Sequence, residues 1–162
     1  MQALRQVLQD KLSGDRLDAA RQFSEFLGDS ELEIKKDQSL FWREKQYYHV
    51  TYRDAFVCYL SIADPDDAGC DWTVFSVNSP SYADADVSED LREVAWRHVD
   101  LCRYCGSCGG GRPRTVFGRR FDEVCGCTFR VDNAGTAELP FLREMVRLRM
   151  QDIDQKAMQA NR

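Results

Sequence analysis

The sequence predicts an α+β fold in a single domain, with a mostly antiparallel sheet and about three helices on one face. Three observations carry this. Apolar residues recur at helical spacing near both ends and once in the middle. Runs rich in aromatic and β-branched residues lie between them. The runs follow one another through short Gly-, Pro- and Asp-containing connections, which suits sequential antiparallel strands. A chain of 162 residues fits one domain, for which about 100–150 residues is typical.

The elements follow in order. Residues 1–28 read as helical, broken near Ser13-Gly14; Leu17, Ala20, Phe23, Phe26 and Leu27 share a face, and Gly28 is a stop signal. Three strands are expected at Ser39–Lys45, Tyr47–Arg53 and Ala55–Ala63, the last two joined by a tight turn at Arg53-Asp54. Asp64–Gly69 is a loop by composition, and Trp72–Asn78 a further strand. A second helix should start near Asp86 or Ser88, with Asp86 and Glu89 spaced as a capping box, and end by Gly106. On it, Leu91, Val94, Ala95, His98 and Cys102 would share a face. Thr115–Arg120 and Val124–Asp132 are short strands around a turn, and Asn133–Gly135 turns again. The last helix should begin near Thr136–Pro140, where proline costs no helical hydrogen bond. Its stripe is Leu142, Met145, Val146, Arg149 and Ile153, and the polar tail from Gln155 is expected to fray.

Chemistry is concentrated in one segment. Five of the seven cysteines fall in Cys102-x2-Cys105-x2-Cys108 and Cys125-x-Cys127. The N-terminus has no apolar stretch of the signal type and no 18-residue apolar run exists, which predicts a cytoplasmic protein with no membrane partner. In a reducing compartment, clustered cysteines point to metal or reactive thiols rather than structural disulfides. Zinc takes four tetrahedral thiolate or imidazole ligands, commonly as two short-range pairs. The C-x2-C-G arrangement lets the backbone turn behind each pair. Cys102, Cys105, Cys108 and Cys125 are the first choice of ligands, Cys127 the next, and His98 the last. Cys125 and Cys127 are expected to share one side of a strand with Phe129. An iron–sulfur cluster is the competing cofactor, but no proline follows a candidate fourth cysteine. Thiol redox chemistry is disfavoured if these cysteines follow a helix C-terminus, where the dipole opposes a thiolate.

Other features narrow the function. Net charge is −5, and the five arginines between Arg103 and Arg120 face ten acids between Asp64 and Asp100, so nucleic acid is not the expected partner. Those arginines can offset the charge of a thiolate-bound metal or pair with the acids. With two histidines and no hydrolase, phosphate-loop or metalloprotease motif, no catalytic residue is assigned. The aromatic residues Phe41, Trp42, Tyr47, Tyr48, Tyr52, Tyr59, Trp72 and Phe75 are either core or the lining of a binding face.

Trp42, Trp72, Trp96, the C-x2-C pair, Phe117-Gly-Arg-Arg-Phe121, Cys125 and Leu148-Arg-Met150 together resemble a group of small uncharacterised bacterial proteins over about residues 25–153. This implies no activity. The β-α-β-β order of Trp72–Asp132 also resembles GyrI-like small-molecule-binding domains. The expected function is a non-catalytic binding protein with a structural zinc site and a small-molecule or protein partner. The alternative is a thiol-based redox or metal sensor using the same cysteines.

Overall fold

In the computed structural model, which describes residues 2–106 and 109–160, seven strands form one antiparallel sheet. The described residues form four α-helices: α1 (Gln2–Lys11), α2 (Gly14–Asp29), α3 (Glu89–Arg97) and α4 (Leu139–Ala160). The strands are β1 (Glu33–Lys36), β2 (Gln46–Tyr52), β3 (Ala55–Ile62), β4 (Trp72–Ser76), β5 (Val99–Leu101), β6 (Arg112–Val116) and β7 (Arg119–Asp132). Their order is β1-β2-β3-β4-β7-β5, with β6 paired to β7 off that path. The α+β expectation holds. The helix count exceeds it because the break at Ser13-Gly14 separates α1 from α2, with Gly14 at a left-handed φ of 57°.

Register sorts the strand residues onto two faces. Tyr48, Leu60, Val74 and Val131 are paired in one row across β2, β3, β4 and β7, and all four are buried. Leu4 and Leu8 of α1, Phe23 and Leu27 of α2, and Leu142 and Met145 of α4 join them in one core. Each such side chain contributes roughly 1.5–3 kcal/mol by leaving water. The next row is Lys35, His49, Tyr59, Phe75 and Arg130; it points to the opposite face, and none of its members is fully buried. One face of the sheet is therefore covered by helices, and the other is open and aromatic.

Several local expectations hold. Arg53 and Asp54 both have positive φ (47° and 62°), the backbone of a tight hairpin turn. Ser88 caps α3, its hydroxyl accepting the Leu91 N–H at 3.3 Å, so the start is Ser88 and not Asp86.

Four expectations do not hold. Ser39–Lys45 is a string of turns: Asp37 accepts the Ser39 N–H at 2.7 Å, and the Ser39 carbonyl accepts the N–H groups of Trp42 and Arg43. These local bonds use the donors a sheet ladder needs. The edge strand is instead the polar β1. Helix α3 ends at Arg97, where the His98 N–H bonds to Ala95 O at 3.0 Å and Val99 begins pairing with Phe129. Cys102 thus follows a strand and not a helix, which removes the dipole argument against a thiolate. The turn of the last hairpin lies at Phe117-Gly118 (φ 44° and 80°), held by the buried Phe117 ring against Tyr82 and Phe129, so β7 is one long strand. Finally, α4 continues to Ala160 through the polar tail.

Candidate metal centre

Strand β7 is irregular where it carries the cysteines. Val99 of β5 pairs with Phe129 and Leu101 with Val124, so two steps on β5 span five on β7. Thr128 sits at φ 74°, a conformation costly for a β-branched residue, and its hydroxyl bonds to the Asn78 side chain at 2.8 Å. Ser76, fully buried on β4, stabilises this bulge. Its hydroxyl donates to the Cys127 carbonyl and accepts the Phe129 N–H at 3.0 Å. The bulge reverses which face alternate residues meet. Val124 and Phe129 are both buried although they are five positions apart, a step that puts residues of a regular strand on opposite faces. Phe129 packs between Tyr82 and Phe141 in the core. Cys125 and Cys127 do share a side, but Phe129 is not on it.

The two thiols meet Asp100 of β5. One oxygen of Asp100 and the two sulfurs lie within 4.8 Å of one another, all three side chains half-buried. The Cys127 thiol donates to Asp100 Oδ2 at 3.3 Å. Burial pushes the Cys127 thiol well up, and Cys125 and Asp100 push it further, since they offer negative charge and no compensation. No sequence pattern marks Asp100, because a three-residue strand is too short to carry one.

The other predicted ligands do not join this group among the described residues. Cys102 and Cys105 line one hollow of about 250 Å³ with Tyr104, Gly106, Gly109 and Gly110, outside the three-residue group. Cys108 lies outside the described residues. The loop is fastened to one residue of β7: Glu123 O accepts the Cys102 N–H at 2.7 Å, and the Glu123 carboxylate accepts the Tyr104 hydroxyl at 2.5 Å. Gly111, at the loop's return, packs so close that a Cβ there would stand 2.4 Å from Glu123 O. Cys102, through its N–H, and Tyr104 are thereby tied to β7, the strand that carries Cys125 and Cys127. His98 caps α3 with its ring stacked on Phe141 at 6.1 Å, and it does not join the donors.

A second group went unnoticed in the sequence: Asp67, Cys70 and Asp132 also converge within 4.8 Å. Arg130 fills it. Its Nη2 pairs with Asp67, its Nε donates to both Asp132 oxygens at 2.8 and 3.1 Å, and Nη2 reaches Cys70 Sγ at 3.8 Å. The acids of 64–71 are taken up the same way, Lys45 bridging Asp64 and Asp66 and Arg16 pairing with Asp71. Those acids do not pair with the 103–120 arginines, among which Arg119 stacks on Trp96 and Phe121.

The open face adjoins the Asp100 group. Trp42 stacks on Tyr47 at 4.7 Å, Tyr47 on Phe75 at 6.2 Å, and His49 meets Phe56 and Tyr59 edge-on at 5.2 Å. Burial pushes the Tyr47 phenol up to about 12, with Asp64, Tyr59 and Cys127 adding to it. Tyr48 and Trp72, by contrast, belong to the buried core. No helix of the described residues is long and apolar enough to cross a membrane. Comparison with protein-family models, curated proteins and solved structures gave no match.

Proposed function

We propose that this chain is a zinc-stapled binding protein. The metal fastens the Cys102–Cys108 loop to β7, and the open aromatic face receives a small molecule or a protein segment. The observation that carries it is the convergence of Cys125, Cys127 and Asp100, with the Cys102–Cys105 segment hydrogen-bonded to Glu123 of the same strand. A group of thiols and a carboxylate that no Lys or Arg of the described residues pairs with is a costly arrangement that a divalent ion relieves. The exposed Phe56 and the half-buried rings of Trp42, Tyr47, Tyr59 and Phe75 offer a flat apolar surface with polar edges, as ligand and partner sites commonly do.

The redox-sensor alternative is the weaker account. The half-buried Cys127 thiol, held in its protonated form beside a carboxylate, is a poor nucleophile. Metal analysis of protein purified without added metal, coupled to thiol titration, tests the proposal. About one equivalent of zinc is expected, with the segment's thiols protected until a chelator is added. Less than about half an equivalent, with every thiol titrating freely, would remove the metal from the account.

A further inference from the structure

We infer that Asp100 is itself a metal ligand: with Cys125 and Cys127 it forms a carboxylate–dithiolate anchor for Zn2+ on the β5–β7 ladder, and the thiolate of Cys102 or Cys105 completes the tetrahedron. This rests on the proposal of a zinc centre in this segment, and it changes that centre from all-cysteine to mixed.

The distances fit. Zinc–sulfur and zinc–oxygen bonds of about 2.3 and 2.0–2.2 Å place sulfur and oxygen ligands about 3.5 Å apart along a tetrahedral edge. Cys127 Sγ and Asp100 Oδ2 already stand 3.3 Å apart, and Cys125 Sγ is within 4.8 Å of both. All three donors lie between paired positions of the β5–β7 ladder. Leu101 pairs with Val124 and Val99 with Phe129, which sets Asp100 opposite the bulge that turns Cys125 and Cys127 out of the core. Ser76 fixes that bulge from β4. Ligands so held lose little freedom on binding.

Charge supplies the second argument. The Asp67 group contains the guanidinium of Arg130, whereas no Lys or Arg of the described residues forms an ion pair with Asp100. The carboxylate's hydrogen-bond partner is the Cys127 thiol, whose proton a metal replaces. The hollow beside Asp100, about 350 Å³, is also lined by Arg97 and Arg103. Those two cations partly offset the net negative charge that three thiolates and a carboxylate leave on a divalent ion. Two or three thiolates favour zinc over magnesium or calcium, and the carboxylate disfavours a soft monovalent ion. The loop then has one coordination position to fill, with Cys102 and Cys105 as its described thiols.

The test is chelator-competed Zn2+ titration of the reduced full chain, with Co2+ absorption and the cadmium-113 resonance of the Cd2+ form as readouts. Wild type should bind one ion, with a cadmium shift of the three-sulfur, one-oxygen type. Asp100→Ala and Asp100→Asn should each weaken Zn2+ at least about tenfold, while Cys102→Ser and Cys105→Ser stay within about threefold, as one loop thiol substitutes for another. Asp100→Asn preserves shape, and circular dichroism checks that it folds. If both Asp100 variants bind like wild type, or the cadmium shift is of the four-sulfur type, Asp100 is not a ligand and the all-cysteine centre stands. If wild type binds no ion, both that centre and this inference fall.

Discussion

Asp67, Cys70 and Asp132 converge as closely as Asp100, Cys125 and Cys127, yet Arg130 occupies the first group and, among the described residues, no Lys or Arg pairs with the second. Both groups touch β7, and both combine acid with thiol. In the first, a guanidinium fork satisfies two carboxylates within the chain, so the group is complete as folded. In the second, the Cys127 thiol keeps its proton and shares it with Asp100, the least demanding state available to a buried acidic set without a cation. Donor type alone therefore does not mark a metal site. The separating question is whether the fold already supplies the positive charge.

Removing Arg130 should break this contrast most strongly. Arg130→Met leaves Asp67 and Asp132 facing each other uncompensated, and should cost about 2–3 kcal/mol in chemical denaturation. The vacated group should then bind Cd2+ or Zn2+ in a Cys125→Ser background, where wild-type Arg130 permits none. If Arg130→Met neither destabilises the protein nor creates a site, the guanidinium is not what distinguishes the groups.

The attachment of the loop gives a second, smaller effect. Gly111→Ala drives a Cβ into the Glu123 backbone at 2.4 Å, where no flexible side chain can yield. It should cost about 1–3 kcal/mol and also weaken zinc binding, because the Cys102 N–H and the Tyr104 hydroxyl use the same Glu123. Unchanged zinc affinity in a destabilised Gly111→Ala protein would separate the loop from the metal.

The smallest effect is a control away from both groups. Asp152 of α4 accepts the Ser81 N–H at 3.1 Å and the hydroxyls of Ser79 and Ser81. Burial works to raise its pKa, but these bonds hold the carboxyl below the ordinary carboxylate range. A depressed folded pKa means the unfolded chain takes up the proton first. Its stabilisation is thus present above an unfolded value of about 3.9 and is lost as pH falls through the lower folded value. Asp152→Asn should remove about 1 kcal/mol at neutral pH and flatten the acid limb of the stability profile, with metal binding untouched.

The two groups also mark the limits of what the sequence shows. Helices and long strands were legible because periodicity spreads over many residues; Phe23 and Leu27, or Tyr48 and Val50, declare a face by repetition. The cysteine segment was legible as chemistry by spacing alone. Asp100 and Arg130 were not. Asp100 matters through a three-residue strand and a bulge that reverses the facing of Cys125 and Phe129, and neither leaves a local signature. Arg130 matters through Asp67, 63 residues earlier in the chain. Ser39–Lys45 failed for the opposite reason, since aromatic content suggested a strand where Asp37 and Ser39 capture the backbone donors.

X-ray absorption at the zinc edge of the loaded protein bears most directly on the central claim. The account predicts one tightly held ion whose shell contains about three sulfurs near 2.3 Å and one oxygen near 2.0–2.2 Å, the oxygen lost in Asp100→Ala. A four-sulfur shell, or zinc that washes off without changing thiol reactivity, would contradict it.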